Sequence, residues 1–175
     1  MADEMIEYLH PTKYWESQSL EMLWAHLEEE CNEALEKTIP LMRSMNKKMY
    51  NSRKEAAVEL ADVQIICNTI LRKINMEPIT ESYKYNFCEP YRYRSETYAL
   101  QIIAFCERRA KAAIEYRTYI RDKKGNEKES LYYSIKFLVA HAEALMTWLF
   151  DDHNERNNIR KLAYEKNRSR GYYNV

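Results

Sequence analysis

The sequence contains very few residues that interrupt regular structure. Only two glycines and four prolines occur in 175 residues. A fold built from many short strands needs turn residues at frequent intervals, so this scarcity argues against a β-sandwich or a β-barrel. It favours a few long helices, and we therefore expect an all-α protein. A chain of this length can bury a core without disulfide bonds, so we expect residues 1–175 to form a single domain.

The chain also lacks an excess of charge of either sign. Lys plus Arg and Asp plus Glu both number 27, which gives a formal net charge of zero. Nucleic-acid-binding domains normally carry a basic surplus, so we expect no nucleic-acid partner. The neutral total hides a local asymmetry. Acidic residues dominate positions 15–36, whereas the segment 160–175 contains five basic residues, Arg160, Lys161, Lys166, Arg168 and Arg170.

Sequence features of export and of membrane insertion are missing. No apolar run approaches the roughly 18 residues needed to span a bilayer. The first residues lack the basic and apolar regions of a signal peptide. The cysteines have no CxxC spacing, and we interpret them as reduced core residues: Cys31, Cys67, Cys88 and Cys106. We therefore expect a soluble cytoplasmic protein with no membrane partner.

Motifs of several common ligand sites are absent as well. The sequence contains no glycine-rich phosphate loop of the GxxxxGK[ST] or GxGxxG type. Only one histidine, His10, follows a glutamate by three residues (Glu7), whereas a di-iron helical bundle needs the ExxH pattern on two helices. Cysteines and histidines nowhere have the spacing of a zinc site. A metal site, if present, has to be built from carboxylates.

Apolar periodicity predicts four long helices. We expect them at about 16–38, from 52 to a stop before Pro78, 95–121 and 129–151, with a loop at 122–128. Pro40 should end the first helix, and Ser52 with Glu55 has the spacing of a capping box at the start of the second. The predicted fold is a helical bundle of two antiparallel hairpins, 16–75 and 95–152, followed by a basic C-terminal tail at 160–175.

Two pairs of acidic residues lie beside the apolar stripes of the first two helices. Glu30 and Glu33 are three residues apart, and so are Glu59 and Asp62. Residues three apart share a helix face, so each pair can direct two carboxylates to one point. If the two helices pack antiparallel, the four carboxylates meet at the border of the core. A cage of carboxylate oxygens suits Mg²⁺, with Mn²⁺ as the second candidate.

The spacing of these acids resembles a known signature. Glu29-Glu30-x-x-Glu33, followed after 25 residues by Glu59-x-x-Asp62, resembles the EExxE…ExxD signature of the all-α NTP pyrophosphohydrolases, which include the MazG-like enzymes and the dimeric dUTPases. The segments LEEECNEALE and KEAAVELADVQIICNTIL are similar to the two motif helices of that superfamily. The segment 164–172 is similar to the KN…R…GY element that reaches the triphosphate in dimeric dUTPases. The resemblance covers residues 20–75 well and the C-terminal segment loosely.

The resemblance implies Mg²⁺-dependent hydrolysis of a nucleoside triphosphate to its monophosphate and pyrophosphate. By position it implies four metal ligands, Glu30, Glu33, Glu59 and Asp62. It implies two catalytic candidates on the first helix, Glu29 and Glu30, of which Glu29 would orient or deprotonate the attacking water. It implies a set of residues that bind the β and γ phosphates, Lys166, Arg168 and Arg170. Related enzymes close such sites with a second subunit, so the resemblance also implies a homodimer or tetramer.

Several alternatives stay open at the level of sequence. The substrate could be a purine deoxynucleotide such as dGTP, or dUTP or dCTP, although the tryptophan-rich motif of dimeric dUTPases is absent here. It could also be another phosphate compound, such as phosphoribosyl-ATP. The second hairpin resembles a degenerate copy of the first, in which Arg108 and Arg109 replace Glu29 and Glu30. The alternative function is that of a non-enzymatic helical adaptor, whose acidic face binds another protein.

Overall fold

The computed structural model describes residues 17–43, 49–79, 95–122 and 125–169. Within these ranges every regular element is helical, which confirms the all-α prediction. The elements are α1 (Leu20–Thr38), a 3₁₀ segment (Ile39–Arg43), α2 (Tyr50–Lys73), α3 (Ser95–Asp122), α4 (Gly125–Leu149) and α5 (His153–Ser169). None of the described helices combines the length and the apolarity needed to cross a bilayer.

A local hydrogen bond explains how α1 begins, but none was found for α2. The Ser19 hydroxyl caps α1 by accepting a hydrogen bond of 3.2 Å from the backbone N–H of Met22. The predicted capping box of α2 is wrong, because α2 begins at Tyr50 and its N-cap residue makes no side-chain cap bond. Glu55 instead forms an ion pair of 3.3 Å with Lys37 of α1. A contact between two helices has therefore replaced a contact within one turn.

The predicted loop at 122–128 is also wrong in most of its length. Helix α4 already begins at Gly125, and only 123–124 of that segment lie outside the described residues. The polar first turn of α4 is held from outside the helix, since Lys128 Nζ donates to the carbonyl oxygen of Asn75 at 3.1 Å. Asn75 follows α2 in the left-handed region, with φ of 55°, where asparagine is tolerated. A polar sequence at a helix start therefore did not indicate a loop.

Helix α2 forms the centre of the structure. It packs against α1, α4 and α5, and every residue from Leu60 to Leu71 is buried. The Lys37–Glu55 contact near the connection between α1 and α2 is that of an antiparallel pair. Helices α3 and α4 also pack antiparallel, since the ring of Tyr98 stacks on that of Trp148 with centroids 4.0 Å apart. The buried apolar residues of all five helices form one hydrophobic cluster.

The segment predicted as a basic tail is helical as far as it is described. Arg160 is 2% exposed, and its guanidinium pairs with Glu143 of α4 and donates to Gln64 Oε1 of α2 at 3.4 Å. Arg156 Nε donates to the other Glu143 oxygen at 3.2 Å. We call Gln64, Glu143, Arg156 and Arg160 the buried clamp. It fixes α5 against α2 and α4, and only residues 170–175 of the predicted tail lie outside the described residues.

Candidate metal centre

The packing of α1 on α2 brings together three of the four predicted metal ligands. One carboxylate oxygen each from Glu30, Glu33 and Glu59 lies within 4.8 Å of the other two. Glu30 and Glu59 are half-buried, and Glu33 is exposed. The apolar stripes that contain Leu27 and Leu60 are buried at the contact between the helices, so the acids that flank the stripes meet at its edge. We call Glu30, Glu33, Glu59 and Asp62 the acidic cluster.

Asp62 lies at the inner side of this cluster and is bound by α5. It is 2% exposed, and its Oδ1 accepts a hydrogen bond of 2.7 Å from Asn167 Nδ2. Its Oδ2 accepts from Lys166 Nζ at 3.0 Å. The same ammonium donates to Glu59 Oε2 at 2.9 Å. Helix α5 therefore contributes two side chains to the candidate site.

Sequence reasoning missed Asn167. An asparagine carries no charge, so nothing in the charge pattern distinguished it from a solvated residue. The only signal was its place beside Lys166 in the segment that resembles the KN…R…GY element. In the structure Asn167 is buried, and its amide is bonded to Asp62.

Glu30 is the most perturbed carboxylate of the cluster. Burial, together with the negative charges of Asp62, Glu33 and Glu59, raises its pKa to about 8, and Lys166 opposes the rise. Its Oε2 atom is buried and has no hydrogen-bond partner among the described residues. A buried carboxylate oxygen without a donor is costly, so this atom favours either a proton or a cation beside it.

The contact between Asp62 and Lys166 favours the charged form of both groups. Burial raises the pKa of Asp62 to about 6, although Lys166 and Asn167 act against that rise. Burial alone would lower the pKa of Lys166, but Asp62 and Glu59 raise it above its ordinary value. Four carboxylates here share a single ammonium among the described side chains. The cluster therefore carries a surplus of negative charge when its acids are ionised.

Two of the other predicted site residues, Glu29 and Arg168, make no contact with the acidic cluster. The side chain of Glu29 is 64% exposed and lies 3.5 Å from His26, outside the group of converging oxygens. Arg168 is exposed at the end of α5 and makes no ion pair with any described residue. Arg170 lies outside the described residues. Of the two predicted phosphate-binding residues that the structure describes, Lys166 is the one in contact with the acids.

The opposite flank of α1 borders a separate pocket of about 540 Å³ between α1 and α3. Its wall includes Trp24 and Tyr116, whose rings stack with centroids 4.2 Å apart. Arg109 stands in the place of Glu30 if the second hairpin is a degenerate copy of the first. Its Nε donates to Glu28 Oε2 at 2.6 Å. Arg109 therefore connects α3 to the flank of α1 that faces away from the acidic cluster.

The chemistry of the acidic cluster fits a hard divalent cation. Its donors are carboxylate oxygens, which Mg²⁺ and Mn²⁺ prefer, and the unpaired Oε2 of Glu30 is an acceptor that lacks a donor. No protein-family model, no curated protein and no solved structure matches this chain. A functional assignment therefore depends on the acidic cluster and on the motif that its residues form.

Proposed function

We propose that the protein is a Mg²⁺-dependent nucleoside triphosphate pyrophosphohydrolase, which converts a (deoxy)nucleoside triphosphate to its monophosphate and pyrophosphate. The observation that carries the proposal is the convergence of Glu30, Glu33 and Glu59 within 4.8 Å. These residues come from the two halves of the EExxE…ExxD pattern, and they meet across the contact between α1 and α2. The unpaired buried oxygen of Glu30 supports a cation at this point.

Each residue of the site has a chemical role in this proposal. Glu30, Glu33, Glu59 and Asp62 would hold the metal, and Glu29 is the candidate that orients or deprotonates water. Bound Mg²⁺ supplies Lewis-acid activation of water and neutralises charge on the phosphates. Asn167 keeps the Asp62 carboxylate in place through its 2.7 Å hydrogen bond.

The basic residues near the end of α5 are the proposed partners of the phosphates. Lys166, Arg168 and Arg170 would form charge-assisted hydrogen bonds with the β and γ phosphates, which strengthens binding of the leaving pyrophosphate. Lys166 supports this role because its ammonium already lies against Glu59 and Asp62, within reach of a ligand bound there. The base stays open between a purine such as dGTP and the pyrimidines dUTP and dCTP.

A second copy of the chain is the proposed protein partner. Large apolar side chains stay exposed on both helices of the second hairpin: Leu100, Ile103 and Ile114 on α3, and Tyr133 and Phe137 on α4. Exposed apolar side chains of this size on two helices that pack together support burial against another subunit. Sedimentation or light scattering of the purified protein tests the proposed homodimer or tetramer.

Product analysis tests the reaction class. Purified protein with Mg²⁺ should release pyrophosphate from at least one of the common NTPs or dNTPs, as measured by chromatography. In ¹⁸O-labelled water the label should appear in the monophosphate, because water attacks the α phosphorus. Label in free orthophosphate would instead identify a γ-phosphatase and reject the proposed reaction.

A matched pair of variants on α2 tests the position of the site. Glu59→Gln should lower kcat/KM by at least about 100-fold, on the order of 2.7 kcal/mol, because it removes a metal ligand. Glu55→Gln, one turn earlier on α2 and 61% exposed, should retain turnover. Both variants should keep the helical circular dichroism spectrum of the parent. Unchanged turnover in Glu59→Gln would remove the reaction from this site.

A further inference from the structure

The Lys166 ammonium lies where two metal ligands would need a cation. Its Nζ is 2.9 Å from Glu59 Oε2 and 3.0 Å from Asp62 Oδ2. These carboxylates come from the acidic pair on α2, and each is also a member of the proposed ligand set. One positive group therefore neutralises two carboxylates that are both proposed to hold the metal. An ammonium and a divalent cation repel each other strongly at such separations, so both cannot occupy this position.

We propose that Lys166 is the resident counter-ion of the metal-free site, and that binding of Mg²⁺ displaces its ammonium from Glu59 and Asp62. The displaced side chain is then free to bind the phosphates of the substrate. This inference rests on the proposed function, since it concerns the same carboxylates and the same substrate class. It adds that one side chain couples occupation of the metal site to binding of the triphosphate.

The surroundings of Lys166 allow this exchange without unfolding α5. The buried clamp holds α5 one and a half turns and more ahead of Lys166, through Arg156 and Arg160. Asn167 stays on the Asp62 Oδ1 atom, which is not the atom that Lys166 uses. The lysine itself is only half-buried, and its four-carbon side chain can reorient while the backbone stays in place. Asn167 is therefore the positioning residue, and Lys166 is the group that moves.

Removal of the Lys166 ammonium should make the metal-free protein less stable and should make Mg²⁺ binding stronger. In Lys166→Met, the melting temperature of the chelator-treated protein should fall, because the carboxylates lose their counter-ion. The dissociation constant for Mg²⁺, measured by calorimetry without nucleotide, should become at least about three-fold smaller, because the metal no longer competes with the amine. A residue that only stabilised the fold would lower the melting temperature and leave metal affinity unchanged or weaker. The control Lys161→Met, an exposed position on α5, should change neither quantity.

Loss of the positioning residue Asn167 should change the Mg²⁺ affinity in the opposite direction, towards weaker binding. In Asn167→Ala, the Mg²⁺ dissociation constant should rise by about 10-fold or more, as is typical when a residue that orients a metal ligand is lost. A Mg²⁺ affinity in Asn167→Ala equal to that of the parent would overturn the positioning role.

The unmodified protein provides a measurement that does not depend on any variant folding. The rate of reductive methylation of each lysine, followed by mass spectrometry, should increase at least about three-fold at Lys166 when Mg²⁺ is added, and should stay constant at Lys161. An unchanged rate at Lys166, with metal binding established by calorimetry, overturns the exchange and leaves the proposed function intact. If the unmodified protein binds no Mg²⁺ and hydrolyses no nucleotide, the proposed function fails, and this inference fails with it.

Discussion

Two clusters of charged side chains lie against α2, and they are built on opposite principles. The buried clamp sets one carboxylate, Glu143, against the guanidinium groups of Arg156 and Arg160. Further acceptors complete it, since Arg156 Nη1 donates to the carbonyl oxygens of Phe150 at 2.8 Å and Asp151 at 2.9 Å. The acidic cluster sets four carboxylates against the single ammonium of Lys166.

The difference lies in whether the polar atoms are satisfied. No side-chain atom of the clamp is among the unpaired buried atoms of the described residues, whereas Glu30 Oε2 of the acidic cluster is one of them. A fully bonded group of buried charges holds helices in place, and removal of one member leaves the others uncompensated. A group with surplus charge and an unpaired oxygen is costly by itself and favours binding of a cation. The buried clamp therefore has a structural role, whereas the acidic cluster has a proposed functional one.

The clamp should produce the largest loss of stability. Glu143→Gln leaves two buried guanidinium groups without their carboxylate, so the free energy of unfolding should fall by about 3–5 kcal/mol. Urea denaturation followed by circular dichroism measures this loss. Glu129→Gln, an exposed change on the same helix, should alter it by less than about 0.5 kcal/mol. A loss of under 1 kcal/mol in Glu143→Gln would contradict the structural role of the clamp.

The acidic cluster should respond to metal instead. Mg²⁺ at 100 times its dissociation constant should stabilise the protein by about 2.7 kcal/mol, seen as a higher melting temperature. Glu33→Gln should remove most of that shift, because Glu33 is a proposed ligand, and it is exposed, so that its substitution leaves the core intact. Glu36→Gln, one turn further along α1 and also exposed, is the control. An adaptor with an acidic docking face has no reason to show any such shift.

The raised pKa of Glu30 predicts a dependence of stability on pH in metal-free protein. In the folded protein Glu30 has a pKa of about 8, whereas the ordinary pKa of a glutamate is 4.5. The contribution of Glu30 to the free energy of unfolding is therefore fully present below about pH 4.5, and it is lost as the pH rises towards 8. With a chelator present, unfolding free energy should fall between pH 5.5 and 8 by at least about 1 kcal/mol more in the parent than in Glu30→Gln. Parallel pH profiles would show that Glu30 is not the group responsible.

Arg168 should give the smallest effect, and one confined to catalysis. Its side chain is exposed and makes no ion pair with the described residues, so Arg168→Gln should leave the melting temperature unchanged. Loss of a phosphate contact should raise KM about five-fold, on the order of 1 kcal/mol. Lys161→Gln on the same helix should leave KM as in the parent. Equal kinetics in both variants would make Arg168 a solvated surface residue.

The positions of the acids on their helices could be predicted from the sequence because they depend on local periodicity. The three-residue spacing of Glu30 and Glu33, beside an apolar stripe, placed them on one flank of the first helix. The same rule placed Glu59 and Asp62 on the second. Burial of Leu27 and Leu60 then required those flanks to meet, and the oxygens of Glu30, Glu33 and Glu59 do converge. Glycine scarcity and helical periodicity likewise determined the all-α class.

Only the tertiary structure decided what each basic residue does. In the sequence Arg160, Lys166 and Arg168 belonged to one basic segment, and only the family resemblance singled out Lys166 and Arg168 as phosphate-binding residues. In the structure Arg160 is buried against Glu143, Lys166 bridges Glu59 and Asp62, and Arg168 faces solvent. These contacts depend on how α5 packs against α2 and α4: Lys166 is 107 positions from Glu59 and 104 from Asp62, and Arg160 is 17 positions from Glu143. A local pattern carries no information about such a contact, because the energy that selects it comes from burial and pairing across the whole core.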